Sequence, residues 1–295
     1  MPSPQWRYLL RVLRPYQWVK NGFVLLPIVF AEKLGDGGAV LRVIAAFTAF
    51  CAAASSVYIA NDLVDLAADK LHPIKKLRPL AQGHLAAREA LRLSFILAIA
   101  ALGCGFALNF GLGICLSAYI AGNLLYTQGL KRIVILDVMC LGLFFLLRVI
   151  AGAVVISAHV SEWLLICSAI LALFLGFNKR RHELLILGKE TGEHRQVLDK
   201  YSIYFIDQMV SVLTASTVIF YTLYTVDTDT AAHFGGNGLL FTVPFVYYGI
   251  FRYLYLVHKR RQGGDPSRII LKDKMLQLNI ICWLAVAIGV IYFGK

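Results

Sequence analysis

Residues 40–60 of the chain read VLRVIAAFTAFCAAASSVYIA, an apolar stretch that contains one charged residue, Arg42. A helix needs roughly 17–25 mainly apolar residues to cross the hydrocarbon core of a bilayer, so this stretch is long enough to span it. About eight further stretches meet the same criterion. They lie near 17–34, 91–108, 111–127, 134–156, 162–178, 206–226, 239–257 and 276–293. The sequence therefore predicts an all-α polytopic membrane bundle of about nine transmembrane helices.

The overall composition agrees with this prediction. Of the 295 residues, 59% are hydrophobic and only 16% are charged, whereas a soluble domain carries about 25% charged residues. The mean hydropathy is +0.69. We expect lipid to surround most of the chain, and we predict a single membrane domain over residues 1–295.

The positive charges are distributed unevenly among the predicted loops. If the N-terminus is cytoplasmic, nearly all Lys and Arg residues fall in loops on the cytoplasmic side, as the positive-inside rule requires. The exceptions are Lys33, Arg42, Arg148, Arg252 and Lys295. The net charge of +12 fits either this topology and anionic lipid or an anionic substrate. Nucleic-acid binding is not expected, because the basic residues are split among short loops.

Polar residues concentrate in two predicted cytoplasmic loops, near 61–90 and 179–203. Residues 1–15 mix basic and apolar positions and could form a helix on the membrane surface. The opposite-side loops are short. We therefore expect the functional site on the cytoplasmic side.

The first polar loop begins with NDLVDLAADK at residues 61–70. Residues four apart share a helix face, so Asn61, Asp65 and Asp69 form one stripe, with Asp62 pointing elsewhere. Oxygen ligands on one face suit Mg²⁺, which takes one or two protein carboxylates together with phosphate oxygens and water. The alternative is a solvated acidic helix end. It is disfavoured because the carboxylates repel one another and the helix dipole opposes anions there.

Basic residues follow the acidic stripe at Lys75, Lys76 and Arg78. Carboxylates for a metal beside cations for phosphate are what a diphosphate site requires. A positive-inside loop would account for these three cations, but it would not account for the neighbouring acids.

Further candidates lie along the chain. Lys131 and Arg132 follow a predicted span, and Arg148 lies well inside one, where an ionisable group indicates a polar cavity or a structural ion pair. Lys179 and Glu183 are one helical turn apart. Glu183 could therefore add a carboxylate to a metal site or simply pair with Lys179.

The pattern Asn61-Asp62-x-x-Asp65-x-x-x-Asp69, followed by HPIKKLRPLAQG at residues 72–83, resembles the UbiA superfamily of intramembrane prenyltransferases. The resemblance extends from about residue 14 to the C-terminus. Most members join a prenyl diphosphate to an aromatic acceptor and carry a second aspartate-rich motif after the sixth span. This chain has NKRRHEL at residues 178–184 instead.

That basic segment resembles one branch, the decaprenyl-phosphate phosphoribosyltransferases. Three other features of this sequence carry the same resemblance: QWVKN at residues 17–21, the segment 126–131, and Arg148. Asn178 stands where that branch usually has Gly.

The resemblance implies a reaction, a cofactor and a location. A polyprenyl phosphate would attack C1 of 5-phosphoribosyl diphosphate (PRPP), with Mg²⁺ bound and pyrophosphate released. The enzyme would be a multi-pass protein of the bacterial inner membrane, with a central cavity open to the cytoplasm. The family also suggests a homotrimer.

The resemblance also assigns roles to the candidate residues. Asn61 and Asp65 would ligate Mg²⁺, with Asp69 and Glu183 as supporting acids, and Asp65, Lys131 and Arg148 would be catalytic. The residues expected to hold PRPP are Tyr58, Lys131, Arg132, Arg148, Lys179 and Arg180. Lys20, Lys76 and Arg78 would bind either the lipid phosphate or the 5-phosphate of PRPP. The sequence does not indicate which of these residues binds which phosphate.

Two other functions remain open. An aromatic prenyltransferase of the same superfamily would use a prenyl diphosphate and no PRPP, and the missing second aspartate motif argues against it. A transporter of an anionic metabolite or lipid would be expected to have broken helices and polar groups at the middle of the membrane. In this sequence the polar groups, apart from Arg148, cluster at one side.

Overall fold

The computed structural model describes residues 5–71, 75–187, 197–259 and 264–294. The first four residues of the predicted surface helix lie outside the described residues, as do 72–74 and 188–196 of the two predicted loops. Every candidate site residue lies within the described residues.

The described residues form α-helices joined by short 3-10 helices. The α-helices are α1 (Gln5–Leu13), α2 (Leu26–Phe30), α3 (Gly37–Val64), α4 (Leu66–Leu71), α5 (Ala87–Leu108), α6 (Phe110–Gln128), α7 (Leu136–Val155), α8 (Glu162–Leu187), α9 (Ile203–Val226), α10 (Thr228–His233), α11 (Val243–Lys259), α12 (Pro266–Lys272) and α13 (Lys274–Phe293). The 3-10 helices are Pro15–Leu25, Lys75–Leu77, Leu130–Arg132, Leu198–Lys200 and Asn237–Thr242. No strand occurs in these parts of the chain.

Among the described residues, 8 helices are long and apolar enough to cross a membrane. The predicted all-α membrane bundle is confirmed, and the chain is a multi-pass membrane protein.

Polar caps set several of the helix starts. The Asp36 side chain accepts hydrogen bonds from the backbone N–H groups of Gly38 and Ala39, and Asn109 caps α6 in the same way.

The predicted count of nine spans is not confirmed, because the first one, 17–34, is not a long α-helix. It consists of the 11-residue 3-10 helix Pro15–Leu25 followed by the 5-residue α2. Pro27 has no N–H with which to continue an α-helical hydrogen-bond ladder. A 3-10 helix rises roughly 2.0 Å per residue, so the 11 residues of Pro15–Leu25 extend about 22 Å by themselves, less than the roughly 30 Å of a bilayer core.

The second predicted loop also differs from the structure. α8 continues through Lys179 and Glu183 to Leu187, so the basic segment is the last part of a long helix rather than a loop. Lys, Arg, Glu and Leu all favour helix, and Arg180 pairs with Glu183 one turn away. The predicted span ends where the charged residues begin, because the hydropathy falls there. The helix itself continues to Leu187.

The contacts divide the chain into two compact units. The first unit comprises Met1–Ile28, Asp36–Cys140 and Leu147–His159, and in it α3 packs along α5, α6 and the first 3-10 helix. The second unit comprises Val29–Gly35, Leu141–Leu146 and Val160–Lys295, and in it α8 packs along α9 and α11 along α13. The single domain over 1–295 stays a prediction.

A close approach within the first unit leads to a stability prediction. A Cβ atom added at Gly152 in α7 would lie 2.1 Å from the carbonyl oxygen of Val24 in the first 3-10 helix. That contact is with backbone, so a Gly152→Ala variant must push the two elements apart. We expect a loss of about 1–3 kcal/mol in the free energy of unfolding, seen as a lower unfolding temperature in detergent.

The matched control for this prediction is Gly103→Ala in α5. A Cβ atom there meets nothing within 4 Å. Both variants gain the same helix propensity from alanine. Equal unfolding temperatures for the two variants would show that the contact between Gly152 and Val24 does not limit packing.

Candidate active site

The predicted stripe keeps its spacing although α3 ends at Val64. The N–H of Asp65 donates to the carbonyl of Asn61 at 2.9 Å, and the N–H of Asp69 donates to the carbonyl of Asp65 at 2.8 Å. Asp65 itself is the residue between α3 and α4. The helical four-residue repeat therefore continues across the break.

The two aspartates of the stripe lie in different environments. The Asp65 side chain is 32% exposed, and one of its oxygens, Oδ1, accepts a hydrogen bond from Lys131 Nζ at 2.8 Å. The Asp69 side chain is only 3% exposed; Arg78 donates to its Oδ2, and Lys75 Nζ lies 3.9 Å from its Oδ1. Asp65 is accessible to a ligand, whereas each Asp69 oxygen faces a cation of the protein.

Asp62 has a structural role that the helix-face argument missed. Its side chain is 4% exposed and accepts two hydrogen bonds from Arg14 Nη2, at 2.5 and 2.7 Å, and one from Arg78 Nη1 at 2.8 Å. The same Arg78 nitrogen also donates to Asp69. Arg78 thus bridges two buried carboxylates, which fixes the loop that follows α4 against the end of α3.

Arg14 holds this network from the other side. Its backbone is left-handed, with φ 53°, and its guanidinium lies 5.4 Å from the centre of the Tyr58 ring. Burial acts to lower the pKa of Arg14, but the Asp62 carboxylate, with help from Tyr16 and Tyr58, outweighs burial and raises that pKa above its ordinary value. The Arg14 guanidinium therefore stays charged, and together with Arg78 it balances buried Asp62.

Burial dominates at Asp69. It raises the pKa of the Asp69 carboxyl above its ordinary value, although the positive charges of Arg78 and Lys75 oppose that shift. Asp69 therefore binds a proton more readily than a solvent-exposed aspartate does.

Thr127, near the end of α6, contacts the first residue of the stripe. Its hydroxyl lies within hydrogen-bond distance of Asn61 Oδ1 and is 2.9 Å from the carbonyl of Asn123. A hydroxyl has one proton and can donate to only one of these oxygens. If the Asn61 amide is turned over, its Nδ2 donates to Thr127 while Thr127 donates to Asn123. Asn61 Oδ1 then faces away from Thr127 and can meet a cation.

Arg148 of α7 is buried, with 3% exposure. Its Nε donates to Asn21 Oδ1 at 2.8 Å and its Nη2 to the Tyr119 hydroxyl at 3.0 Å. The guanidinium also lies 4.7 Å from the centre of the Tyr119 ring and 6.0 Å from that of Phe50. Neutral polar groups thus orient this cation. Asn21 and Tyr119 were not among the predicted site residues.

Three further predicted cations belong to the first unit, namely Lys20, Lys76 and Arg132. Lys20 Nζ donates to Gln17 Oε1 at 2.5 Å, while Lys76 and Arg132 are exposed. Lys76 and Arg132 are thus accessible to an anionic ligand.

The predicted residues Lys179, Arg180 and Glu183 belong to the second unit. Arg180 is fully buried and donates to Glu183. This ion pair of Glu183 with Arg180 is neither of the two alternatives predicted from the sequence, which were a metal site and a pair with Lys179. The part of Glu183 in a metal site stays a prediction.

The site offers few side-chain oxygens to a Mg²⁺ ion. Within the described ranges, no three His, Cys, Asp or Glu side chains lie close enough to hold a metal ion. Mg²⁺ needs only one or two carboxylates when phosphate and water complete its shell. Asn61 and Asp65 fit that mode, because both residues are partly exposed and lie one helical turn apart. Asp69 fits it less well because its oxygens face Arg78 and Lys75.

A sequence profile described as the UbiA prenyltransferase family matches residues 23–281. The chain belongs to the UbiA prenyltransferase family. The predicted resemblance is thereby confirmed, and this UbiA chain is a membrane transferase. Within its first motif, which comprises Asn61, Asp62, Asp65 and Asp69, the side chains of Asp62 and Asp69 are held in the buried network.

Curated relatives of this UbiA chain share a more specific name. It is 31% identical to a decaprenyl-phosphate phosphoribosyltransferase of Mycolicibacterium smegmatis, over 97% of this chain and 93% of the relative. It is 30% identical to an enzyme of the same name from Corynebacterium glutamicum, over 96% and 86%. Both comparisons cover nearly the whole chain.

A solved structure shows the same fold. The UbiA homolog from Archaeoglobus fulgidus, bound to DMAPP and Mg²⁺, matches with a TM-score of 0.72 and 17% identity, over 96% of this chain and 99% of that one.

Proposed function

We propose that the chain transfers the 5-phosphoribosyl group of PRPP to a polyprenyl phosphate, with Mg²⁺ bound and pyrophosphate released. The observation that carries this proposal is the similarity, at about 30% identity over nearly the full length, to enzymes named decaprenyl-phosphate phosphoribosyltransferase. The basic segment at Lys179–Arg181, where aromatic prenyltransferases would have acids, supports the same choice.

The chemistry suits a site rich in cations. The nucleophile is a phosphate monoester oxygen, which is already anionic and needs no strong general base. It forms a bond to C1 of the ribose as the bond from C1 to the diphosphate breaks. Catalysis then rests on aligning the two anionic substrates and on stabilising the charge of the departing pyrophosphate. Bound Mg²⁺ would supply part of that stabilisation.

The residues would divide this work as follows. Asn61 and Asp65 would hold the metal, and Lys131, beside Asp65, would meet the diphosphate. The other residues proposed to hold PRPP are Tyr58, Arg132, Arg148, Lys179 and Arg180, with Asp69 and Glu183 as supporting acids. Lys20, Lys76 and Arg78 are the cations that the sequence assigns to neither phosphate in particular. Of these, the exposed Lys76 is better placed to bind a lipid phosphate than Arg78, which already bridges Asp62 and Asp69.

The site would face the cytoplasm of a bacterial cell, across its inner membrane. The excess of Lys and Arg in the loops on the side of the first motif supports this orientation. PRPP is a soluble, highly charged metabolite, so a cytoplasmic opening would give the site direct access to it.

The test is a transfer assay with membranes from cells that express the chain. The membranes are incubated with ribose-labelled PRPP, Mg²⁺ and polyprenyl phosphate, and label is followed into the organic phase. We expect lipid-linked label that needs both the polyprenyl phosphate and Mg²⁺ and is abolished by EDTA. Lack of transfer, together with prenylation of an aromatic acid from a prenyl diphosphate, would make the chain an aromatic prenyltransferase instead.

A further inference from the structure

The end of α6 and the 3-10 helix that follows it contact both residues proposed to hold the metal. Thr127 lies against Asn61, and Lys131, four residues further along, lies against Asp65, four residues after Asn61. The two segments therefore run side by side with matching spacing. Of the two contacts, only that of Lys131 places a positive charge on a candidate metal ligand.

Lys131 Nζ lies 2.8 Å from Asp65 Oδ1, which is the distance of a charge-assisted hydrogen bond. A divalent cation that bound the same oxygen would meet the ammonium group at close range, and two cations on one carboxylate repel each other. We propose that Lys131 is an exchangeable counterion of Asp65, which a metal-bound diphosphate displaces from the carboxylate and draws onto its own oxygens.

The exchange makes metal and diphosphate bind cooperatively. Metal alone must break the pair between Lys131 and Asp65 and leave the ammonium without an equivalent partner. A diphosphate that arrives with the metal supplies that partner. The proposed function provides the identity of the diphosphate, as part of PRPP, whereas the competition between Lys131 and the metal for Asp65 does not depend on it.

The surroundings of Lys131 permit the movement. Its side chain is 21% exposed, and its flexible four-carbon stem allows the ammonium to turn without a change in backbone. The residue lies in the short 3-10 helix Leu130–Arg132, which follows Gly129 and precedes α7. Lys131 is therefore not confined by the packing of a long helix.

The experiment measures metal binding without substrate. Mn²⁺ replaces Mg²⁺, and free Mn²⁺ is followed by electron paramagnetic resonance during titration of the purified full-length protein in detergent. Binding that is lost in Asp65→Asn defines the site. We expect Lys131→Met to bind Mn²⁺ about three- to five-fold more tightly than the wild type, since a partly exposed ion pair is worth little more than this.

The matched control is Arg132→Met, which removes an equal charge one residue away. It should change Mn²⁺ affinity by less than about two-fold, because no contact joins Arg132 to Asp65 and water screens the remaining interaction. Lys131→Arg keeps a cation and should bind Mn²⁺ like the wild type. If Lys131→Met does not purify, Lys131→Gln serves for the same comparison.

A second arm uses inorganic pyrophosphate as the diphosphate. Pyrophosphate should tighten Mn²⁺ binding by the wild type several-fold more than by Lys131→Met, after correction for the complex formed in solution. Lys131→Met binding Mn²⁺ no more tightly than Arg132→Met, or an equal effect of pyrophosphate on both proteins, would overturn the proposal. Neither arm contains PRPP or lipid, so this proposal and the proposed function can fail separately.

Discussion

Replacing Asp65 with asparagine is expected to lower the rate of phosphoribosyl transfer by about 100- to 1000-fold while the protein stays folded. Asparagine has nearly the same shape but lacks the charge that would hold Mg²⁺. The partner of Asp65, Lys131, is itself partly exposed, so loss of the pair should change the free energy of unfolding by less than about 1 kcal/mol. The measurement is the transfer rate across a Mg²⁺ titration, beside the unfolding temperature.

The matched control for Asp65→Asn is Asp207→Asn. Asp207 lies in α9, is partly exposed, and pairs with Arg181 Nε at 2.6 Å, so this variant also removes one carboxylate from an ion pair. We expect it to keep most of the transfer activity. Full activity in Asp65→Asn would refute the metal assignment, and equal losses in both variants would indicate a general effect of charge.

The second large effect is expected at Arg148. In an Arg148→Met variant we expect kcat/KM for PRPP to fall by about 100-fold or more, because a buried, preoriented cation for a phosphate is lost. The unfolding temperature should change little. Methionine removes the cost of a buried charge, which offsets the hydrogen bonds lost from Asn21 and Tyr119. The measurement is the dependence of rate on PRPP concentration, with the lipid held constant.

Arg252→Met is the matched control for Arg148→Met. Arg252 also lies on a membrane-spanning helix, α11, and its Nη2 pairs with Asp273 Oδ2 at 2.8 Å. We expect this variant to keep its KM for PRPP, since its cation has an acidic partner within the protein. A fall in unfolding temperature for Arg148→Met that parallels its loss of activity would instead mean that Arg148 serves the fold.

The spans and the first motif could be predicted because their signals are local. A run of 20 apolar residues is read directly from the sequence, and α3 indeed covers the predicted stretch 40–60. The four-residue spacing of Asn61 and Asp65 also survives in the structure, because it depends only on helical hydrogen bonds between neighbours. These features can be predicted without knowing which helices contact one another.

The contacts that organise the site could not be predicted because they join distant residues. Arg14 and Asp62 are 48 positions apart, Thr127 and Asn61 are 66 apart, and Arg148 and Asn21 are 127 apart. Helix geometry places Asp62 on a different face from Asn61, so Asp62 was not among the predicted metal ligands. In the structure that face points into the protein, towards Arg14 and Arg78.

Helix type and helix ends depended on details that hydropathy does not resolve. The stretch from Pro15 to Phe30 scores as apolar on average, although its backbone is mainly 3-10. The charged end of α8 scores as polar, although it remains helical to Leu187. In both places average hydropathy is a poor guide to the backbone, because proline and individual helix propensities decide its conformation.

The first 3-10 helix has a consequence for the synthesis of the protein. Two of its side chains find partners in later parts of the chain: Trp18 donates to Ser55 of α3, and Asn21 accepts from Arg148 of α7. A nascent segment that carries Gln17, Lys20 and Asn21 partitions into lipid less readily than an apolar helix. The N-terminal segment can therefore reach its final packed position only after α7 has emerged from the ribosome, more than 100 residues later. Biogenesis of the N-terminal segment is thus completed after translation of helices that the hydropathy profile places well downstream.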